Sequence, residues 1–270
     1  MFTEAIGFVK CFVLVSVIKI TLILSLTIIL LIPQIFFTYA VKSASHVIPL
    51  FYHRILCLII GIKIEIRGKP SFAERTLYVS NHCSYLDIVV LGSILPACFI
   101  SKSEVSAWPF FGLLARLQRT IFIDRKAIRS TVEQVDVLSK RLLSGDSLIL
   151  FPEGSSTDGT EVLPFKSSLF YIVSKESKNL GNFIQPITLA YTHVNEKRID
   201  QKTRSKICWF GDATLLNHLW NFLGTLSSNV IVTFHDPVNK NIFKDRKDIA
   251  IFCHKRISAL LKRINSNLVP

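Results

Sequence analysis

His82 stands five residues ahead of Asp87 in Asn81-His82-Cys83-Ser84-Tyr85-Leu86-Asp87, an imidazole and a carboxylate at a spacing that can make a general base. Five positions apart on one continuous helix, two side chains point roughly 140° away from each other. The pair can meet only if His82 lies in a turn and Asp87 in the first winding of the helix after it. The carboxylate would then accept a hydrogen bond from one ring nitrogen, fixing the tautomer and steadying the imidazolium. The other nitrogen could take a proton from a hydroxyl. Such a dyad has no serine or cysteine nucleophile of its own and suits the activation of a substrate alcohol. Plainer readings stand beside it, since a lone histidine near a turn is usually structural. Ser84-x-x-Asp87 has the form of a capping box. Cys83 adjoins His82, but adjacent residues rarely turn their side chains toward each other, which disfavours it as a nucleophile.

About seventy residues later comes Phe151-Pro152-Glu153-Gly154-Ser155. A glutamate closing an apolar strand, then a glycine, would set a carboxylate and an accessible backbone at the same sheet edge as His82. Glu153 could bind a substrate hydroxyl, and Gly154 permits close approach of a ligand. Proline and glycine are also ordinary turn formers, so a plain strand-to-loop turn fits as well.

The elements around these residues read as alternating strands and helices from Lys63 onward. Thr76-Leu77-Tyr78-Val79-Ser80 reads as a buried strand and Ile88-Val89-Val90-Leu91 as the inward face of a helix, so His82 and Asp87 fall where a strand ends and a helix begins. In open α/β sheets that is the usual place for a ligand. Further strands are expected at 63–67, 97–101, 120–123, 147–151, 184–191, 207–210 and 230–234. Helices are expected at 129–143, closed by Gly145, and at 248–264.

The N-terminus has a different character. Between Lys19 and Lys42 no charged residue occurs, roughly the length needed to cross a hydrocarbon core of about 30 Å. Pro33 and Gln34 interrupt the run, so a kinked span and a helix folding back within one leaflet both fit. A signal peptide is disfavoured, because the apolar run is too long and no small-x-small cleavage site follows promptly. Val47 to Ile62, with His53 and Arg54, reads as an interfacial helix leading into a strand. The expected division is 1–62 as membrane-associated helices and 63–270 as one α/β domain. Basic residues flank both ends of the apolar run and leave its orientation undecided.

Half of the 270 residues are hydrophobic, the formal charge is +13 and the mean hydropathy is +0.42. Together these point to a membrane surface with anionic lipid, or to anionic substrates. The lack of an arginine-rich arm or a recognisable motif argues against nucleic acid. Cys11, Cys57, Cys83, Cys98, Cys208 and Cys253 form no C-x-x-C pair and no zinc spacing, and read as buried thiols in a reducing compartment, which favours a cytoplasmic face.

Asn81-His82-x-x-x-x-Asp87 followed by Phe151-Pro152-Glu153-Gly154-Ser155 resembles the glycerolipid acyltransferases of the lysophosphatidic acid acyltransferase, or PlsC-like, type, over about Tyr78 to Tyr191. Other segments fall in the family's order. Lys102-x-Glu104 with Pro109-x-x-Gly112 resembles its lysine-containing segment. Phe122-Ile123-Asp124-Arg125 resembles the motif whose arginine is associated with the acceptor's phosphate, and Gln185-Pro186-Ile187 its late proline motif. The resemblance implies a mixed, mostly parallel sheet flanked by helices behind an N-terminal membrane-anchoring segment. It implies His82 and Asp87 as the catalytic dyad, and Lys102, Arg125, Glu153, Gly154 and Ser155 as substrate-binding residues. It also implies no metal, and no cofactor beyond the acyl donor, acyl-CoA or acyl carrier protein.

The implied reaction acylates the free hydroxyl of 1-acylglycerol-3-phosphate, giving phosphatidic acid. Two departures bear on the acceptor. Where the family carries Thr-Arg-Ser this chain has Ser155-Ser156-Thr157, without the basic residue, and Phe165-Lys166-Ser167-Ser168 lacks the glycine of the family's Phe-Lys-x-Gly. Another lysolipid, such as a lyso-ornithine lipid, is therefore the rival acceptor. A lipid hydrolase is disfavoured by the lack of a G-x-S-x-G elbow. A non-catalytic membrane binder would explain the charge and the apolar terminus, but not a histidine and an aspartate at a strand end.

Overall fold

The structure, a computed structural model, describes residues 2–41, 44–72, 75–124, 138, 140–173 and 183–267. Helices α1 (Phe2–Ala40) and α2 (Val47–Ile60) precede β1 (Ile62–Arg67), β2 (Thr76–Ser80), α3 (Leu86–Gly92), β3 (Cys98–Lys102), α4 (Phe111–Leu117), β4 (Ile121–Ile123) and β5 (Leu148–Leu150). Then come β6 (Phe183–Val194), β7 (Lys197–Arg198), α5 (Gln201–Arg204), α6 (Leu215–Leu223), β8 (Ser228–Phe234), β9 (Val238–Asn239) and α7 (Arg246–Ser266).

The strands form one sheet in the order β1-β8-β6-β2-β5-β3-β4, with β7 and β9 paired to β6. β2 lies parallel to β5 and β6, and β3 parallel to β5 and β4, while β8 runs antiparallel to β6 and carries β1 parallel to itself. The sheet is thus mixed and mostly parallel. Its central strands are buried on both faces, and their side chains alternate between two cores, as the two-residue period of a strand requires. Tyr78, Ile149 and Phe99 pack on one face with Leu86, Val90 and Phe222 from α3 and α6. Leu77, Val79, Leu148 and Leu150 pack on the other with Ile249, Cys253 and Ile257 from α7. Because β2, β5, β3 and β4 run the same way, His82, Glu153, Lys102 and Asp124 all follow or close strands at one edge of the sheet.

One expected strand is absent. Ile207–Phe210 is a loop with Ile207 and Cys208 buried, and Trp209 N–H donates to the Cys83 carbonyl at 2.8 Å. The run is apolar because it packs beneath the His82 turn, and a single backbone bond to that turn makes no ladder. Of the helix expected at 129–143, residues 129–137 and 139 lie outside the described residues, while 138 and 140–143 are helical. Helix α6 was not anticipated from the sequence.

α1 runs through Pro33 as one helix, and its polarity is inverted. Ser16, Lys19, Thr27 and Gln34 are buried, whereas Leu14, Ile28, Ile29, Ile32 and Phe36 are exposed. Lys19 and Gln34 tie α1 to the rest of the chain: Lys19 Nζ donates to the Ile60 carbonyl at 3.0 Å, at the end of α2, and to the Thr225 carbonyl at 2.6 Å, just after α6. A cation suits carbonyls left open at helix C-termini. Gln34 Nε2 donates to Leu117 O at 2.5 Å and Ser45 O at 3.0 Å. The outward apolar face of Lys10–Ala40 is long and apolar enough to cross a bilayer. Lys19→Leu is therefore expected to lower the unfolding midpoint of the detergent-solubilised protein, by the equivalent of about 1–3 kcal/mol for two buried carbonyls left unpaired. The exposed Lys10→Leu is the control, and equal midpoints for the two variants would contradict the docking role.

Candidate active site

β2 ends at Ser80, the chain turns through Asn81–Tyr85, and α3 begins at Leu86. This turn brings the two side chains together: His82 Nδ1 lies 2.8 Å from Asp87 Oδ2. The same oxygen accepts the backbone N–H groups of Cys83 at 2.8 Å and Ser84 at 3.0 Å. Asp87 therefore caps the turn and holds the histidine at once. Ser84 Oγ accepts from Leu86 N at 3.3 Å, which completes the local network without the reciprocal bond of a capping box. Asp87 Oδ1 faces inward and accepts from the Tyr191 hydroxyl at 3.1 Å and the Cys83 thiol at 3.6 Å.

Asp87 is fully buried, while the His82 side chain retains 21% of its exposure. A carboxylate oxygen already filled by backbone donors can only accept, so Nδ1 carries the proton and Nε2 presents a lone pair. Nε2 has no protein partner among the described residues. Phe151 stacks on the imidazole with ring centroids 4.3 Å apart, and Phe99 stacks behind it at 6.3 Å. Hydrogen bonding with Cys208, burial and the Asp87 charge hold the Cys83 thiol well above its usual range, so it remains protonated. This arrangement can withdraw a proton from a hydroxyl placed at Nε2.

Glu153 reaches the same turn from β5. Its Oε1 accepts from His82 N at 2.7 Å and its Oε2 from Leu163 N at 2.7 Å, with the residue 2% exposed. Its carboxylate is thus committed to backbone groups and braces the main chain of His82. Gly154, at φ 83°, takes the left-handed conformation that turns the chain directly after it. Ser155 is exposed on the loop beyond, and Thr157 N–H returns to donate to the His82 carbonyl at 3.1 Å. Ser156, where the family carries arginine, donates its hydroxyl to the Trp209 carbonyl. Lys102 is exposed at the end of β3, and Arg125 lies outside the described residues. Sequence reasoning missed Tyr191, whose signal was a tyrosine on the same strand face as Ile187 and Leu189, buried and so in need of a hydroxyl partner.

The family model of the acyltransferases matches residues 63–190. The lyso-ornithine lipid O-acyltransferase of Brucella abortus (strain 2308) is 39% identical over 218 residues, 80% of this chain and 82% of that protein. The chain belongs to the PlsC-like acyltransferase family. A 1-acyl-sn-glycerol-3-phosphate acyltransferase of Neisseria gonorrhoeae is 28% identical over 70% of this chain and 69% of its own length. In fold the chain is similar to the crystal structure of the 1-acyl-sn-glycerophosphate acyltransferase PlsC from Thermotoga maritima, with a TM-score of 0.65 at 17% identity, covering 94% of this chain and 95% of that one. This PlsC-like acyltransferase, with α1 exposing a long apolar face, is membrane-associated.

Glu153 yields a pH test. Burial pushes its carboxyl up to about 7, against the pull of the Leu163 and His82 N–H bonds and with the Asp87 charge adding to the rise. In the unfolded chain the group titrates near its ordinary value of 4.5. Between those values the folded protein holds a proton that the unfolded chain has released. The group's contribution to stability is therefore largest below that window and falls as pH rises through it, by about 3 kcal/mol in all. Glu153→Gln abolishes this slope. The unfolding free energy of the wild type minus that of the variant should decline from about pH 5 to about pH 7.5, and a constant difference would contradict the assignment.

Proposed function

We propose that the protein transfers a fatty acyl group from an acyl thioester, acyl-CoA or acyl carrier protein, to the hydroxyl of a lyso-ornithine lipid, with His82 as general base. The observation that carries the mechanism is the buried Asp87 holding His82 Nδ1 at 2.8 Å, with Nε2 lacking a partner among the described residues. The proton of the acceptor hydroxyl passes to Nε2 as its oxygen bonds to the thioester carbonyl carbon. The tetrahedral adduct collapses, the C–S bond breaks, and the imidazolium returns the proton to the departing thiolate. A positioned base of this kind is worth about 10²–10⁴-fold in rate.

For the acceptor, the sequence motifs favour 1-acylglycerol-3-phosphate, and the rival named beside it has the better support from the relatives. The lyso-ornithine lipid acyltransferase is the more identical relative and matches over the greater share of both chains. The loop after Glu153 has no arginine for a phosphate and offers Ser156 in its place. Ornithine itself bears no hydroxyl, so the acceptor oxygen sits on its amide-linked acyl chain and the product is an ester. Lys102 and Arg125 are the cations proposed for the anionic group of the acceptor, a carboxylate here. Glu153 and Gly154 shape the turn, and Ser155 borders it. Residues 1–62 are proposed as the membrane anchor, with the site on the cytoplasmic side, where acyl thioesters are found.

The test offers a labelled acyl thioester with lyso-ornithine lipid and lysophosphatidic acid side by side to the detergent-solubilised protein. The expected result is a kcat/KM for lyso-ornithine lipid at least about tenfold higher, the worth of one good polar contact. Transfer to lysophosphatidic acid alone would overturn the acceptor assignment and leave the chemistry standing.

A further inference from the structure

The segment around Gln185-Pro186-Ile187 plays no part in the mechanism so far, and its place in the sheet gives it one. β6 pairs in parallel with β2 from Thr76 opposite Phe183 to Ser80 opposite Ile187, and there the β2 backbone leaves the sheet. The side chain of Asn81 continues the ladder: Nδ2 donates to Leu189 O at 2.9 Å, and Oδ1 accepts from Leu189 N at 2.8 Å. This clasp, 2% exposed at Asn81, keeps β6 in register with the His82 turn after the strand pairing has ended. Two residues on, along the same strand face, Tyr191 reaches Asp87 Oδ1. From its other side β6 is held by β8, with Tyr191 opposite Val230 and the register shifting only beyond it.

We propose that Tyr191 is a positioning residue for acyl transfer: its hydroxyl fixes the rotation of the Asp87 carboxylate, so that Oδ2 faces His82, and by drawing charge toward Oδ1 it sets how firmly His82 holds a proton. This rests on the reading of His82 as the base. Tyr191 is 3% exposed. Burial first, and then the Asp87 charge, hold its hydroxyl well above its usual range, so it stays a donor throughout the working pH range. Among the described residues, the other titratable groups facing the pair are Cys83 with Cys208 behind it, and Glu153 across the turn from β5. Glu153 titrates in the same range as a histidine, but Tyr191 makes no hydrogen bond to it. A limb of the pH–rate profile that moves with Tyr191 therefore belongs to the dyad.

Tyr191→Phe keeps the ring and removes the donor. The expected result is a fall in kcat of about tenfold, with the KM of both substrates within about twofold. The acid limb of the kcat/KM profile should move to higher pH by about half a unit or more, because a carboxylate stripped of a donor holds the imidazolium more tightly. Replacing Tyr191 with 3-fluorotyrosine, a stronger donor of almost the same shape, should move the limb to lower pH. This second variant also decides the matter if Tyr191→Phe does not fold. A limb that stays put in either folded variant, or a change in KM alone, overturns the inference. If the wild type shows no acid limb at all, it is the reading of His82 as base that fails instead.

Discussion

The structure depends on one buried carboxylate. A carboxylate removed from water is costly unless its lone pairs are filled, and Asp87 fills them from separate parts of the fold. The turn supplies two backbone N–H groups and a thiol, His82 supplies its ring nitrogen, and β6 supplies a phenol. The first turn of α3 adds the favourable end of the helix dipole. Each donor fixes the carboxylate a little more, and a fixed carboxylate allows His82 only one orientation and one tautomer. The bracing then extends outward. Glu153 holds the His82 amide from β5, Thr157 holds its carbonyl from the following loop, and Asn81 ties the turn to β6. The histidine is partly open to solvent, yet its own backbone N–H and carbonyl are both held by neighbouring elements.

Much of this was legible because local pattern and chemistry coincided. Thr76–Ser80 and Ser147–Phe151 are short and apolar, and such runs have few options other than central strands. A histidine and an aspartate at a strand-to-helix junction have few ways to meet. What escaped were facts that depend on tertiary partners. Glu153 at a strand end looked available to a substrate hydroxyl, and its carboxylate proves to be committed to two amides from elsewhere in the chain. Ile207–Phe210 has the composition of a strand, but it packs under the turn with a single backbone bond to it and no ladder. The burial of Tyr191 was legible from its strand face, but its partner was not, since Asp87 lies 104 residues away and the β2–β6 pairing brings the two together.

The N-terminal helix shows the same limit from another side. Its composition marks it for a membrane, whereas the direction its polar residues face is a matter of packing. Ser16, Lys19, Thr27 and Gln34 are buried against the rest of the protein, whereas Leu14, Ile28, Ile29, Ile32 and Phe36 turn outward, the reverse of a water-soluble helix. Lys19 therefore reads as a bolt between α1 and the ends of α2 and α6 more than as the border of an apolar run. An enzyme acting on lipids gains from such a helix, because α2 packs on both α1 and α3 and so links the apolar helix to the element that carries Asp87.

In the proposed mechanism His82 takes the proton in a direct transfer with no acyl-enzyme. The most direct measurement is turnover of a labelled acyl thioester by His82→Ala, with the unfolding midpoint followed in parallel and the protein itself examined for retained label. Direct transfer predicts a fall of about 10²–10⁴-fold in kcat, a midpoint close to that of the wild type, and no covalent label on either protein. Retention of most of the activity by a well-folded His82→Ala, or acyl label chased from the wild-type protein to the acceptor, would contradict it.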